Sequence, residues 1–287
     1  MGRRRFVNLV VQGAPGLYSL RRIPTSRLFY PSTRAAEAAM AKTQESFRHD
    51  HDGRKQHPGA LHFMDKFGQF PSPLLNLQPA PMHHRYTRSL DLVTLLGNDE
   101  TKILTADNHG HTVLFDAASY SVVHFPKLQC SKGNGAMAVS INRASPQEPD
   151  SLYVLNLNPY PDINDHCFEV LSYGGFDERL PIWRPLPPPP FACDYVPNGM
   201  ITSYTVVGGD TIYISSDECG THAFDTVSLQ WRTISSLWSM PFDGKAEYVP
   251  ELKLWFGLSG DHPYSLCACD LTNTQGSSTH LARPRHT

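Results

Sequence analysis

Short β-forming runs that recur in sets, each set carrying the same small motif, constrain this chain more than any other feature. The clearest set ends in Gly220 to Pro241, GTHAFDTVSLQWRTISSLWSMP. It reads as a strand ending in Phe224-Asp225, a turn, a strand carrying Trp231, and a break at Met240-Pro241. From Ser89 a first set is readable as SLDLVTLLG, KILTAD, HTVLFD and YSVVHFP. A second follows as GAMAVSIN, SLYVLNL, CFEVLSYG and IWRPLPPPP, and a third as ITSYTVVGG, TIYISS, THAFDTVS and QWRTI. The fourth, KAEYVPEL, KLWFGLS and YSLCACDL, has three runs and then gives way to a polar tail.

Placing the third runs in register puts Phe115-Asp116, Leu171-Ser172, Phe224-Asp225 and Cys269-Asp270 at one position, spaced by 56, 53 and 45 residues. Four-stranded propeller blades repeat at roughly 40 to 50 residues, and loop insertions lengthen the period. An Asp at this point accepts hydrogen bonds from turn backbone between the third and fourth strands. Trp231 lies six residues beyond Asp225, Val122 holds the same offset from Asp116, and Trp183 fills the role after a longer insertion. Such an aromatic gives the outer strand a large apolar contact with a neighbouring sheet.

Ahead of the sets, Arg5 to Val11 and Gly16 to Ile23 flank a Gly-Ala-Pro-Gly turn, a hairpin signal. Thr33 to Lys42 suits one or two helical turns, Gln44 to Gly59 reads as a polar, mobile surface loop, and Leu74 to Leu77 reads as a strand.

The pattern Phe-Asp-x-x-Ser-x-x-Trp, followed by Met-Pro or Phe-Pro, resembles the second half of a kelch repeat. The segments RFVNLVV, LYSLRRI, LFYPS, ITSYTVV and PFDGKAEYVPELKLWFGLS are similar to an expanded cereal-grass family of unknown function. Over about Arg4 to Leu271, that resemblance implies a kelch-like, F-box-associated type of β-propeller with no assigned activity and no catalytic residues. The chain departs from kelch in one respect: Gly208-Gly209 precedes the second strand of its set, where a kelch blade places a double glycine after that strand. The expected fold is therefore all-β, a kelch-like β-propeller of about five readable blades. Residues 1–271 form the propeller domain with a polar insertion at about 33–60, and 272–287 form a disordered polar tail. The last blade lacks its fourth strand; either the N-terminal strands complete it, or the chain is a shortened family member.

Composition narrows the function. The formal net charge is -2, from 25 basic and 27 acidic residues, which is no field for attracting nucleic acid or an anionic membrane. Phe6 to Val11 is too short and too polar for a signal-peptide core, and Phe6 stands where a myristoylation motif requires Ser or Thr. No run approaches the roughly 18 apolar residues of a membrane span. An intracellular protein, cytoplasmic or nuclear, is expected. The six cysteines form no CxxC pair, so reduced thiols in or near strands are expected. Cys267 and Cys269 face the same side of a strand without a second ligand pair for zinc.

Most of the fourteen histidines read as solvated loop residues. His49, His51, His57, His83 and His84 are dispersed, where zinc needs converging ligands. The connections between second and third strands emerge on one face of a propeller. Here they carry Asp107 and His109, Asp162 and His166, Asp217 and Glu218, and Asp261 and His262. Asp and Asn favour turns for local reasons; the sharper reading is a polar recognition face for a basic peptide or a cation. There is no nucleophile elbow, phosphate loop or Rossmann glycine cluster. Ser259, Asp261 and His262 are adjacent in sequence, whereas catalytic triads assemble from separated segments. Pro185 to Pro190 reads as a rigid connector rather than a polyproline ligand.

The expected function is non-catalytic: a protein-interaction module for an unidentified protein partner, with no cofactor and no metal site. The alternative is a small-ligand or metal-binding propeller using the acidic and histidine-bearing loops, which loss of ligand binding on changing His109 and His166 to Ala would favour. A third reading, a chain that does not fold stably, would show as a broad thermal transition.

Overall fold

Alternation between two buried faces, rather than between a buried and a wet face, explains how these strands assemble. The computed structural model describes residues 5–14, 16–28, 30–38, 41, 71–79, 89–96, 101–133, 135–141, 151–159, 166–173, 181–193, 199–260 and 265–272. The polar segment 44–59 and the histidines at 49, 51, 57, 83 and 84 lie outside the described residues, as do Asp162, Asp261, His262 and the tail from residue 273.

The chain divides into two compact units, Met1–Pro79 with Arg85–Thr87, and Ala80–His84 with Arg88–Thr287. In the first unit, β1 (Phe6–Gln12) and β2 (Tyr18–Pro24) pair antiparallel from Phe6↔Pro24 to Gln12↔Tyr18, and β3 (Leu75–Leu77) adds to β2. This is the expected hairpin, and Gly16 supplies a positive φ of 75° in its turn. Residues 33–38 are helical, with the Ser32 hydroxyl accepting the Ala35 amide at the start.

The second unit holds four antiparallel meanders. Blade 1 is β4 (Leu90–Leu95), β5 (Lys102–Asp107), β6 (Thr112–Asp116) and β7 (Ser121–Phe125). Blade 2 is β8 (Ala136–Ile141), β9 (Ser151–Asn156), β10 (Phe168–Tyr173) and β11 (Pro181–Pro185). Blade 3 is β12 (Ser203–Val207), β13 (Thr211–Ser216), β14 (Gly220–Asp225) and β15 (Gln230–Ser235). Blade 4 has β16 (Phe242–Val249), β17 (Leu254–Ser259) and β18 (Leu266–Cys269). The inner strands β4, β8, β12 and β16 neighbour one another in that order.

Each middle blade splits its side chains between two cores. From β9, Leu152 and Val154 join Leu92 and Leu104 of blade 1 and Leu128 of the segment that follows it. Tyr153 and Leu155, on the other face, join Ile212, Ile214 and Phe224 of blade 3. Tyr213 and Ala223 of blade 3 turn the other way, onto Phe242, Ala246 and Trp255 of blade 4. Sheets stacked face to face around adjacent inner strands are the arrangement of propeller blades. The chain is all-β and propeller-type.

The aligned third-run positions share one register. Phe115 opposes Val122, Leu171 opposes Trp183, and Phe224 opposes Trp231. The tryptophans also latch neighbouring blades. Trp183 Nε1 donates to the Pro126 carbonyl at 2.7 Å, and Trp231 Nε1 to the Pro187 carbonyl at 2.8 Å. Each acceptor lies just beyond the outer strand of the preceding blade. The three third-run aspartates act as turn caps. Asp116 Oδ1 accepts the Ala118 amide, Asp225 Oδ1 the Val227 and Ser228 amides, and Asp270 Oδ1 the amide and hydroxyl of Thr272. Those bonds favour the charged form and hold all three carboxyls below the usual carboxylate range.

Blades 3 and 4 are more intimate than the separate sets of runs suggest. β12 and β16 pair in parallel at Ser203↔Gly244 and Tyr204↔Lys245, merging the two blades into one seven-stranded sheet. Gly244, at a φ of +80°, donates its amide to the Thr202 carbonyl at 2.7 Å, and the Thr205 hydroxyl reaches the Ala246 carbonyl at 2.7 Å.

Candidate loop face

In an up-and-down sheet, the connection from second to third strand and the exit from the fourth strand emerge at the same end. The expected recognition loops therefore share an end of each blade with the linkers to the next. Both kinds of segment are built on hydrogen bonds.

Between β5 and β6, Asp107 is almost fully buried and is used up by its own turn. Its Oδ1 accepts the amides of His109 and His111, both at 2.9 Å, and Oδ2 lies 3.1 Å from His111 Nδ1. Burial alone would raise its pKa, but these bonds outweigh it and hold the carboxyl below the usual range. The Leu128 amide from the linker bonds the Gly110 carbonyl at 2.9 Å. Gly110 has a φ of +78°, and a Cβ there would lie 3.1 Å from the Leu128 carbonyl oxygen. A Cβ would thus fit tightly between the turn and the linker, on a backbone conformation that favours glycine.

That linker, 126–135, carries a feature with no expectation behind it. Lys132, 1% exposed, forms a fully buried ion pair with Glu169 of β10 and also donates to the His166 carbonyl at 2.6 Å. Glu169 further accepts the Gln129 amide at 3.0 Å and the Cys130 amide at 3.3 Å. Ser131 donates to Asp91 Oδ2 at 3.1 Å, and Gln129 Nε2 donates to the Trp183 carbonyl at 3.0 Å. Burial pushes the Asp91 pKa up, against the Ser131 and Ser89 hydroxyls that favour its charge; Asp107 adds to the rise and His109 opposes it. His109 and His166 are therefore gathered into one clasp joining blades 1 and 2. His109 Nε2 and His166 Nδ1 are buried without a hydrogen-bond partner.

Asp217 and Glu218 lie in the β13–β14 turn and are exposed. The linker from β15 to β16 passes beside them, since the Ser239 hydroxyl donates to Asp217 Oδ1 at 3.3 Å. Leu237 projects from this linker at 97% exposure. The backbone beneath it is fixed: Ser235 Oγ accepts the amides of Leu237 and Trp238, and the Thr221 hydroxyl donates to the Trp238 carbonyl at 2.7 Å. The Met240 amide donates to Ser215 Oγ at 3.1 Å. A Leu-Trp pair inside a serine-bearing linker was the available sequence signal. For Lys132 and Glu169 the signal was fainter, a charged residue within the apolar run of β10.

Among the described residues, no group of three or more His, Cys, Asp or Glu side chains could hold a metal ion. Cys267 and Cys269 both face blade 3. Burial pushes the Cys267 thiol up; burial, then Asp270 and Cys267, push Cys269 up to about 11. Both shifts disfavour the thiolate form in the free protein. Cys219, Cys267 and Cys269 are free thiols. No helix among the described residues is long and apolar enough to cross a membrane.

His222, on β14, provides a pH readout of this end of blade 3. Its ring is 6% exposed, packs on Phe191 with centroids 5.1 Å apart, and bonds the Cys219 carbonyl at 3.0 Å through Nε2. Burial pushes its pKa below the ordinary histidine value, with the Cys219 carbonyl opposing. The unfolded chain then takes up a proton near pH 6.5 that the folded chain refuses, so stability falls as pH drops through that value. Thermal unfolding at about pH 7.5 and about pH 5.5 is expected to show a larger loss for the wild type than for His222→Gln. Equal losses would mean that another group carries the dependence.

The family model described as a protein of unknown function, DUF1668, matches residues 4–286. No curated protein matches the chain. Among solved structures, a protein of unknown function from Bacteroides thetaiotaomicron is similar at 12% identity and a TM-score of 0.40, over 63% of this chain and 41% of that one. The Cps50 (Swd1) beta-propeller domain of Myceliophteria thermophila is similar at 10% identity and a TM-score of 0.39, over 70% of this chain and 58% of that one. BBS1N, solved in complex with ARL6DN, is similar at 7% identity and a TM-score of 0.39, over 65% and 52%. The chain thus spans about half the length of these structures.

Proposed function

Starting from the premise that this chain belongs to the DUF1668 family, a family of unknown function, we propose that it is a non-catalytic protein-interaction module. It displays the loop end of its blades to a protein partner, as the resemblance to kelch-like, F-box-associated propellers implies, and it acts inside the cell. The observation that carries this reading is Leu237, an almost fully exposed leucine held on a hydrogen-bonded linker beside the exposed acids Asp217 and Glu218. A rigidly presented apolar side chain loses little entropy on docking, and flanking charges favour a partner with a basic rim. Asp107 supports this display from within its turn instead of contacting the partner.

The test is affinity capture with the purified protein as bait, followed by titration of the captured protein. Changing Asp217, Glu218 and Leu237 together to Ala is expected to weaken binding by about 2 kcal/mol or more, roughly thirtyfold. Val227→Ala, in the turn between β14 and β15, is expected to leave it unchanged. A partner held equally by both variants, or no partner for the wild type, would overturn the reading.

A further inference from the structure

We propose that the outer face of blade 4 is a self-association surface, covered in solution by the same face of a second copy of this chain. This inference stands apart from the loop-end reading, because it concerns a sheet face and a different occupant.

Equivalent positions on the other blades carry the argument. On the face that each blade turns to the next one, the two middle strands present one cross-strand pair: Leu104 with Leu114, Tyr153 with Val170, and Tyr213 with Ala223. All three pairs lie within cores shared with the following blade, and Tyr213 is 2% exposed. The same register on blade 4 gives Phe256 with Ala268, flanked by Leu258 opposite Leu266. Here Phe256 is half-buried, Ala268 is exposed, and Leu258 and Leu266 are 52% and 72% exposed. Among the described residues of this unit, a face with the composition of a blade interface therefore lacks its cover.

On three blades the cover is another sheet of this chain, which points to a sheet of like composition as occupant. Charge favours a second copy. The face carries both signs, since Lys245 and Glu247 alternate with the buried Ala246 and pair with each other at 2.8 Å. A two-fold arrangement can set each opposite its counter-charge in the partner. The net charge of -2 offers little repulsion between copies. The outermost strand, β18, contains no charged residue of the kind that guards an edge against association.

Size sets the strength. Three strands about 4.8 Å apart and about six residues long at about 3.4 Å each present roughly 300 Å² per copy. That is well below the roughly 800 Å² per partner of a standard stable interface, so a weak, transient dimer is expected.

Sedimentation velocity of the full chain from about 10 to about 500 µM tests this. The wild type is expected to pass from monomer to dimer. Leu266→Glu, at an exposed position, is expected to weaken the dimer at least about tenfold, and Ala268→Glu to do the same by an independent substitution. Val227→Glu, exposed and off this face, should leave it unchanged, and circular dichroism checks that each variant remains folded. A wild type monomeric throughout would overturn the proposal, whether another part of the chain or a different protein covers the face. A dimer indifferent to both blade 4 substitutions would also overturn it.

Discussion

Replacing Glu169 with alanine is expected to cost about 3–5 kcal/mol of folding stability, enough to threaten a marginally stable domain. The reason is what remains behind. Lys132 is fully buried, and without Glu169 its ammonium would keep, among the described residues, only the His166 carbonyl as acceptor. The Gln129 and Cys130 amides would lose their carboxylate as well. Lys132→Met is expected to be nearly as harmful, since it strands a buried carboxylate. The double variant Lys132→Met with Glu169→Ala removes both charges. Its cost is expected to fall well below the sum of the two single changes, because a buried ion pair gains little net stability over a neutral replacement. Urea unfolding of the three variants closes the cycle. Additive costs would show that the two charges do not depend on each other, and the clasp between blades 1 and 2 would then rest on its backbone hydrogen bonds.

The pair also marks where sequence reasoning stops. The blades were legible because their signals are local. A Phe-Asp at the end of a third strand, a short turn and a bulky residue opposite recur in register at Phe115 and Phe224, and Leu171 takes the same place opposite Trp183 after a longer insertion. The capping role of Asp116, Asp225 and Asp270 follows from the same short range. Glu169 defeats the alternation rule. A charged residue within a strand is ordinarily assigned to the wet face, but a blade packed on both sides has none, and its strands tend toward continuous apolar runs. What accommodates Glu169 is Lys132, 37 residues away in the linker that follows blade 1. Asp107 differs in the opposite way. Its residue type and position suggested a displayed acid, yet its own turn consumes it. The part of the loop end that is displayed, Asp217, Glu218 and Leu237, depends on how the 236–241 linker is fastened, and Thr221 and Ser215 fasten it from β14 and β13.

Gly220→Ala is expected to cost about 2–5 kcal/mol, against about 1–2 kcal/mol for Gly209→Ala. Both glycines have positive φ, +73° and +91°, so both substitutions carry the penalty of a left-handed backbone. Only Gly220 adds a collision. A Cβ there would stand 2.2 Å from the Ser235 carbonyl oxygen and 2.8 Å from backbone atoms of Ser236, whereas a Cβ at Gly209 meets nothing within 4 Å. These neighbours are main chain and have no rotamer to change. Relief would require β14 to separate from the end of β15, where the ladder already shifts register between Thr221 and His222. That separation would spread, because Ser235 Oγ holds the amides beneath Leu237 and the Thr221 hydroxyl holds the Trp238 carbonyl. Gly220→Ala is therefore expected to lower the urea midpoint and, where the protein still folds, to weaken the partner contact proposed for Leu237. Gly209, in the turn between β12 and β13, should leave that contact intact. Equal losses of stability at the two positions would show that backbone conformation alone demands glycine at 220. An excess at Gly220 together with weakened binding would tie the close approach of β14 and β15 to the presentation of Leu237.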